Sequence, residues 1–121
     1  MLNKIRYLLR KNRRRYMEKN DVTMEELKKM QKEGATILDV RSPQEYEEGH
    51  IQGAILIPEY ELIAKADKEL KDKNKIIVIY CSSGNRSKKA QRELEKRGYI
   101  NVYNLYNGLQ NYWDFRANML K

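Results

Sequence analysis

The stretch that decides the fold is Ile76-Ile77-Val78-Ile79-Tyr80-Cys81-Ser82-Ser83-Gly84-Asn85-Arg86-Ser87. It begins with a run of strand-forming residues without a polar interruption, which is typical of a central parallel strand buried on both faces. Residues 87–97 are mostly strong helix formers, and Gly98 is placed to end a helix in a left-handed cap. The stretch therefore predicts a strand, a short loop and a helix, with the single cysteine of the chain at the carboxyl end of the strand.

The loop after this strand is suited to holding an anion. A loop between a strand and a helix directs backbone N–H groups and the positive end of the helix dipole at its centre. We therefore expect the loop and Arg86 to favour the thiolate form of Cys81. Ser82 and Ser83 are small, and Gly84 accepts a positive φ at little cost. The pattern predicts that Cys81 is a nucleophile. The alternative is an inert buried residue, which is more often what a single cysteine after an apolar strand is.

Three stretches together resemble the single-domain rhodaneses. Residues 81–86, CSSGNR, are similar to the C-x-x-G-x-R active-site loop of that family. Residues 38–54, LDVRSPQEYEEGHIQGA, resemble its L-D-V-R…E-[FY]…G-H-I-x-G-A signature. Residues 107–113, NGLQNYW, resemble its closing G-G-x-x-x-W, with Asn107 in place of the first glycine and one additional residue before the tryptophan. The resemblance runs in matching order over about residues 21–115, which makes it far more specific than the loop alone.

The expected fold is α/β. Strand and helix patterns alternate along the chain, which predicts βαβ units and a mostly parallel sheet covered on both sides. The resemblance to rhodaneses implies the rest: a three-layer α/β/α domain with a five-stranded sheet in the order 1-5-4-2-3. Its first strand would lie near Asp21 and Val22. A strand is predicted over residues 54–57 and a helix over residues 59–73, and we expect Trp113 to anchor the core.

Polar residues also follow a second predicted strand, residues 36–40. Asp39 and Arg41 lie at its carboxyl end, the edge where an open parallel sheet places its ligands. We expect both near the cysteine loop, with Asp39 in a positioning role. Arg41 has two equally supported interpretations, a role on the substrate side or an ion pair with Glu45 or Glu48 that fixes local structure.

The resemblance implies a sulfurtransferase that requires no metal and no organic cofactor. In that scheme Cys81 takes a sulfane sulfur from thiosulfate or a low-molecular-weight persulfide and holds it as a persulfide. A thiol, cyanide or a protein acceptor then removes it. Arg86 would steer the donor and stabilise the departing charge. The residues expected to bind the anionic sulfur through their N–H groups are Ser82, Ser83, Gly84, Asn85, Arg86 and Ser87.

Two alternatives remain open from the sequence. The first is a sulfur-carrier or interaction module that uses Cys81 but does not turn over small donors. The second, less favoured, is a cysteine phosphatase or arsenate reductase of related fold, because a cysteine loop ending in arginine also suits a tetrahedral oxyanion. Cys81 and Arg86 enclose four residues, one fewer than in such phosphatases. An arsenate cycle with an internal resolving cysteine is excluded, since the chain has one cysteine.

Charge divides the chain into two parts. Residues 1–20 hold eight Lys/Arg and one Glu, whereas residues 21–121 hold 17 basic and 16 acidic residues, so almost all of the net charge of +8 lies in the first twenty. Apolar residues recur on one side of residues 1–20, which predicts a basic amphipathic helix. We expect it to be an extension of a single domain over residues 21–121. Its alternative role is a weak contact with an anionic membrane surface or RNA.

The cysteine, histidine and apolar content of the chain bears on the cellular compartment in which we expect the protein. One cysteine cannot form an internal disulfide, and one cysteine with one histidine cannot complete a four-ligand zinc site without several carboxylates. The chain contains no run of 18 apolar residues and no apolar segment of a secretory signal. We therefore expect a cytoplasmic protein. The sequence does not indicate its oligomeric state.

Overall fold

Five parallel strands form the central sheet in the computed structural model, which describes residues 17–119. The strands are β1 (Asp21–Val22), β2 (Thr36–Asp39), β3 (Ile55–Leu56), β4 (Ile77–Tyr80) and β5 (Val102–Leu105). They lie in the order β1-β5-β4-β2-β3, and each neighbouring pair is parallel. The predicted strand order is confirmed. It places β4 in the middle of the sheet, with Cys81 at the edge where all the strands end.

Helices connect the strands and cover the sheet. Among residues 17–119 they are α1 (Met24–Lys32), α2 (Pro43–Glu48), a 3-10 turn (Glu59–Glu61), α3 (Leu62–Glu69), α4 (Asn85–Lys96) and α5 (Gly108–Met119). Thr23 and Ser42 begin α1 and α2 with capping boxes. None of these helices is both long enough and apolar enough to cross a membrane.

The helix predicted over residues 59–73 is shorter than expected. It begins as a 3-10 turn and its α-helical part ends at Glu69, because Leu70 leaves the helical region with φ −121° and ψ 63°. Leu70 is buried, and its carbonyl accepts a hydrogen bond from the Tyr99 hydroxyl at 2.6 Å. This hydrogen bond gives a partner to a carbonyl at the helix end, where the last carbonyls have no donor within the helix.

The core consists of two hydrophobic clusters on opposite faces of the sheet. Ile77 and Ile79 belong to one cluster, and Val78 and Tyr80 belong to the other, as the alternation of side chains along a strand requires. All four are buried, which confirms that β4 is covered on both faces. The first cluster includes Leu62 and Ala66 of α3 and Ala90 and Leu94 of α4, and the second includes Leu27 of α1 and Leu109 and Tyr112 of α5.

The prediction that Trp113 anchors the core is wrong. Its side chain is 42% exposed, whereas that of the preceding residue, Tyr112, is 3% exposed. Neighbouring residues on a helix point in directions about 100° apart, so only one of the two can face the sheet. The indole of Trp113 instead lies over Gly49, where an added Cβ would come within 3.0 Å of it.

The segment before β1 is attached to the domain. The backbone N–H of Glu18 donates to the Asp21 carboxylate at 2.9 Å, and the Glu18 carboxylate pairs with Lys88 of α4 at 2.7 Å. Glu18 therefore contacts the folded unit, and the domain boundary at residue 21 stays a prediction. The rest of the predicted basic helix, residues 1–16, lies outside the described residues.

Candidate active site

The loop between β4 and α4 is closed by a glycine. Gly84 precedes the first residue of α4 and has φ +105° and ψ −13°. This is the left-handed region, which side chains with a Cβ rarely adopt and glycine adopts freely. The turn brings the first backbone N–H groups of α4 back towards Cys81.

Two backbone N–H groups donate to the sulfur of Cys81. Gly84 N lies 3.1 Å and Ser87 N 3.4 Å from Sγ, and the Cys81 thiol in turn reaches the Ser87 hydroxyl oxygen at 3.4 Å. The loop is described in full, and these are two of the six N–H groups that were predicted to face the sulfur. Donors of this kind at a helix N-terminus favour negative charge on the sulfur.

Cys81 is also deeply covered. Its exposed fraction is 1%, the burial expected of an inert cysteine, yet its sulfur faces hydrogen-bond donors as well as apolar side chains. Because water-exposed reagents cannot reach a covered sulfur, a reaction at Sγ requires a local opening of the loop. Ser82, Ser83 and Asn85 are exposed on that loop.

A buried polar chain lies beneath the loop. The Ser87 hydroxyl is hydrogen-bonded to the side-chain oxygen of Asn104 on β5 and lies 3.0 Å from the Gly84 carbonyl. Asn104 in turn donates from Nδ2 to the Asp21 carboxylate at 3.1 Å. All of these side chains are buried. The chain fixes the hydroxyl beside the sulfur, and its one visible sign in the sequence is the polar Asn104 in an otherwise apolar buried strand.

Arg86 binds Glu45 of α2. Two parallel hydrogen bonds of 2.9 Å join the guanidinium to the carboxylate. Ser82, the residue after the cysteine, lies 3.2 Å from both groups. The hydrogen bonds between the two raise the pKa of Arg86 and lower the pKa of Glu45. The arginine of the loop is therefore held at its rim by a carboxylate that the sequence indicated only as a possible partner of Arg41.

Arg41 and Asp39 form a second pair beside the loop. The guanidinium binds the carboxylate with contacts of 2.8 to 3.2 Å and donates to the carbonyl of Gly49 at 2.7 Å. Neither side chain is exposed by more than 4%. The partner of Arg41 is therefore Asp39, and not Glu45 or Glu48. Because the guanidinium is engaged inside the protein, the geometry favours its structural interpretation over a role on the substrate side.

Asp39 connects this pair to the strand that carries the cysteine. It lies opposite Tyr80 in the pairing of β2 with β4. Burial and the neighbouring Asp39 carboxylate raise the pKa of Tyr80. The Tyr80 hydroxyl accepts the N–H of Ile51 at 3.0 Å. Asp39 thus lies against the residue that immediately precedes Cys81, and its positioning role stays a prediction.

The turn before α5 packs against the main chain of Cys81. The N–H of Leu109 donates to the Cys81 carbonyl at 2.8 Å. Gly108 has φ +56°, and a Cβ there would lie 2.3 Å from the same carbonyl oxygen. Asn107, which replaces a glycine of the resembled pattern, has φ +61°. Asparagine tolerates that region better than most residues, which explains how the substitution is accommodated.

Comparisons with known proteins find related sequences and structures. The chain matches the family model described as Rhodanese-like domain over residues 23–114. It is 39% identical over 67 residues to the thiosulfate sulfurtransferase PspE of Escherichia coli, which covers 55% of this chain and 64% of that protein. It is 40% identical over 80 residues to the putative sulfur carrier protein YrkF of Bacillus subtilis, which covers 66% of this chain and 42% of that protein. The chain thus spans less than two thirds of these curated relatives.

A solved structure supports the fold over a larger share of both chains. The crystal structure of a rhodanese-like domain protein from Staphylococcus aureus is 33% identical and superimposes with a TM-score of 0.68. The alignment covers 77% of this chain and 90% of that one. The similarity therefore extends over nearly the whole of that protein.

Proposed function

Since the chain belongs to the rhodanese-like domain family, we propose that it is a sulfurtransferase that moves a sulfane sulfur from thiosulfate or a low-molecular-weight persulfide to a thiol, cyanide or a protein acceptor. Cys81 is the catalytic residue and carries the sulfur as a persulfide. The observation that supports this most is the pair of N–H groups, from Gly84 and Ser87, that donate to Sγ at the N-terminus of α4. A reducing compartment such as the cytoplasm suits a cycle that depends on a free thiolate.

In the first step the Cys81 thiolate attacks the sulfane sulfur of the donor. A bond forms between Sγ and that sulfur, and the S–S bond of the donor breaks with its electron pair on the leaving group. Thiosulfate releases sulfite, and a persulfide RS–SH releases the thiolate RS⁻. The two N–H groups at Sγ favour the thiolate that begins the reaction.

In the second step the acceptor attacks the terminal sulfur of the Cys81 persulfide. The bond between the two sulfur atoms breaks, and its electron pair returns to Sγ as the thiolate. Cyanide leaves as thiocyanate and a thiol leaves as its persulfide. The order of events, donor first and acceptor second, is a ping-pong cycle. Backbone donors of the loop stabilise the anionic terminal sulfur as they would an oxyanion.

Arg86 contributes charge at the rim of the loop. Its guanidinium lies next to Ser82 and is 40% exposed, so it is accessible to a donor that approaches from solvent. A charge-assisted hydrogen bond from this side chain stabilises an anionic leaving group. Its pairing with Glu45 limits how much of that charge a donor meets.

A sulfur carrier is the second candidate, favoured by the name of the Bacillus subtilis relative. A carrier would hold a sulfur on Cys81 that it receives from a protein and would not turn over small donors. Both candidates use the same sulfur atom. They differ in turnover, which makes a rate measurement decisive between them.

The test is steady-state turnover of thiosulfate and of glutathione persulfide, with cyanide or a thiol as acceptor. We expect parallel double-reciprocal plots for the wild-type protein, the sign of a ping-pong cycle. The variant Cys81→Ser should lose turnover while its circular dichroism and melting temperature stay near those of the wild type. Retained turnover in Cys81→Ser would rule out the mechanism. A wild-type protein that takes up one sulfur from a donor but does not turn over would support the carrier.

A further inference from the structure

The rim of the loop carries less free positive charge than the sequence indicates. Arg86 is the cation nearest to the sulfur along the loop, and a carboxylate occupies it through two hydrogen bonds of 2.9 Å. A bidentate pair of this kind is among the stronger contacts that a guanidinium makes. An anionic donor therefore meets a neutral pair at the rim and not a free guanidinium.

The neighbouring cations on α4 are paired as well. Lys88 lies 2.7 Å from Glu18 and 3.4 Å from Asp21, and Lys89 lies 3.8 Å from Glu59. Behind the loop, Arg41 is buried against Asp39. In the part of the chain that the structure describes, each of these four basic groups next to the loop thus has an acidic partner.

Glu45 itself lies beside the cysteine loop. Its carboxylate lies 3.2 Å from the Ser82 hydroxyl, on the residue that follows Cys81, and 33% of its side chain is exposed. An ionised carboxylate at this position repels a second negative charge that comes within a few ångströms. The lowered pKa of Glu45 keeps it ionised at neutral pH.

Thiosulfate and organic persulfides differ in the charge that they bring to this rim. Thiosulfate is a dianion. When its sulfane sulfur is transferred, the group that leaves is sulfite, which carries the negative charge next to the sulfur that is attacked. A thiol-derived persulfide brings at most one negative charge to the same place and leaves as RS⁻. The two N–H groups at Sγ suit a sulfur with a single negative charge.

Resting on the proposed sulfur transfer, we infer that Glu45 is a specificity-determining residue and that the donor class of this site is a thiol-derived persulfide in preference to thiosulfate. Cys81–S⁻ attacks the outer sulfur of RS–SH to give Cys81–S–SH and RS⁻, and the proton stays on the transferred sulfur until solvent takes it. Glu45 disfavours thiosulfate because its carboxylate neutralises the guanidinium of Arg86.

The test compares two donors in matched variants. The donors are thiosulfate and the persulfide of 2-mercaptoethanol, whose organic body is uncharged, and the readout is the ratio of their kcat/KM values. Glu45→Gln removes the charge and keeps an oxygen that can accept the Ser42 N–H, so the cap of α2 is preserved. Glu47→Gln is the control, because it removes an equal charge from an exposed position of the same helix.

We expect Glu45→Gln to raise the ratio of thiosulfate to persulfide by about tenfold, the order for one extra charge a few ångströms away at a dielectric between water and protein. Glu47→Gln should leave the ratio at the wild-type value. In the Arg86→Gln background the effect of Glu45→Gln should be smaller, because no guanidinium is then released. An unchanged or lower ratio in Glu45→Gln, or an equal rise in Glu47→Gln, would overturn the inference.

The outcome also separates this inference from the proposed function. If neither donor places a sulfur on Cys81 in the wild-type protein, the sulfur-transfer proposal itself is wrong. If both donors react and the ratio does not respond to Glu45→Gln, the transfer proposal stands and the assignment of specificity to Glu45 is wrong.

Discussion

Two arginine–carboxylate pairs lie at the same edge of the sheet and differ mainly in burial. Asp39 and Arg41 are joined by contacts of 2.8 to 3.2 Å and are at most 4% exposed. Glu45 and Arg86 are joined by two contacts of 2.9 Å and are 33% and 40% exposed. The first pair packs behind the cysteine loop, and the second lies at its rim.

The difference decides what each pair can do. Breaking a buried pair leaves a charge without compensation in the interior, so Asp39 and Arg41 stay together and serve the structure. An exposed pair contributes little to stability, so Glu45 and Arg86 can be separated without unfolding the protein. The positive charge available for chemistry is therefore that of Arg86, to the extent that Glu45 releases it.

The largest expected effect comes from breaking the buried pair. Asp39→Ala should lower the free energy of unfolding by about 3–5 kcal/mol, because it leaves the Arg41 guanidinium buried without its partner. Urea denaturation monitored by circular dichroism measures this change. Glu45→Gln, the matched change in the exposed pair, should cost less than about 1 kcal/mol. Equal losses in the two variants would show that burial does not separate the pairs.

The next effect is kinetic and concerns the exposed pair. Arg86→Ala should lower kcat/KM for thiosulfate. The expected loss of transition-state stabilisation is about 1.5–3 kcal/mol, the range for a hydrogen bond to a charged group. The loss also leaves Glu45 unneutralised at the rim. Arg92→Ala, which removes an exposed arginine from the same helix, is the control and should retain the wild-type value. An unchanged rate in Arg86→Ala would remove its assigned role.

The smallest effect is the pH dependence of stability from Glu45. Its pKa is lowered in the folded protein by Arg86, so the folded state favours the ionised carboxylate. This contribution is fully present above the unfolded pKa of about 4.3 and is lost as the pH falls towards the folded value. The difference in unfolding free energy between the wild type and Glu45→Gln should therefore shrink below about pH 4. A difference that stays constant from pH 7 to pH 3 would contradict this assignment.

Local patterns in the sequence predicted the elements that local physics controls. The uninterrupted apolar run of β4 and the glycine stop after α4 both have short-range causes, and the structure contains both of them. The strand order came from the resemblance to a known family, because periodicity alone does not fix which strands are neighbours.

Long-range partners could not be predicted in the same way. Arg86 and Glu45 are 41 positions apart, and Ser87 and Asn104 are 17 apart. Nothing in the order of residues indicates which carboxylate a given arginine meets once the sheet has formed. Trp113 was placed in the core because it is large and apolar, but the rotation of α5 gives that place to Tyr112.

The central claim is that Cys81 accepts a sulfur atom that can be passed on. Intact-protein mass spectrometry after exposure to thiosulfate or glutathione persulfide tests it most directly. We predict the mass of one added sulfur on the wild-type chain, its removal by a reductant or by cyanide, and no addition to Cys81→Ser. A wild-type chain that stays unmodified with both donors, or a Cys81→Ser chain that gains the same sulfur, would contradict the account.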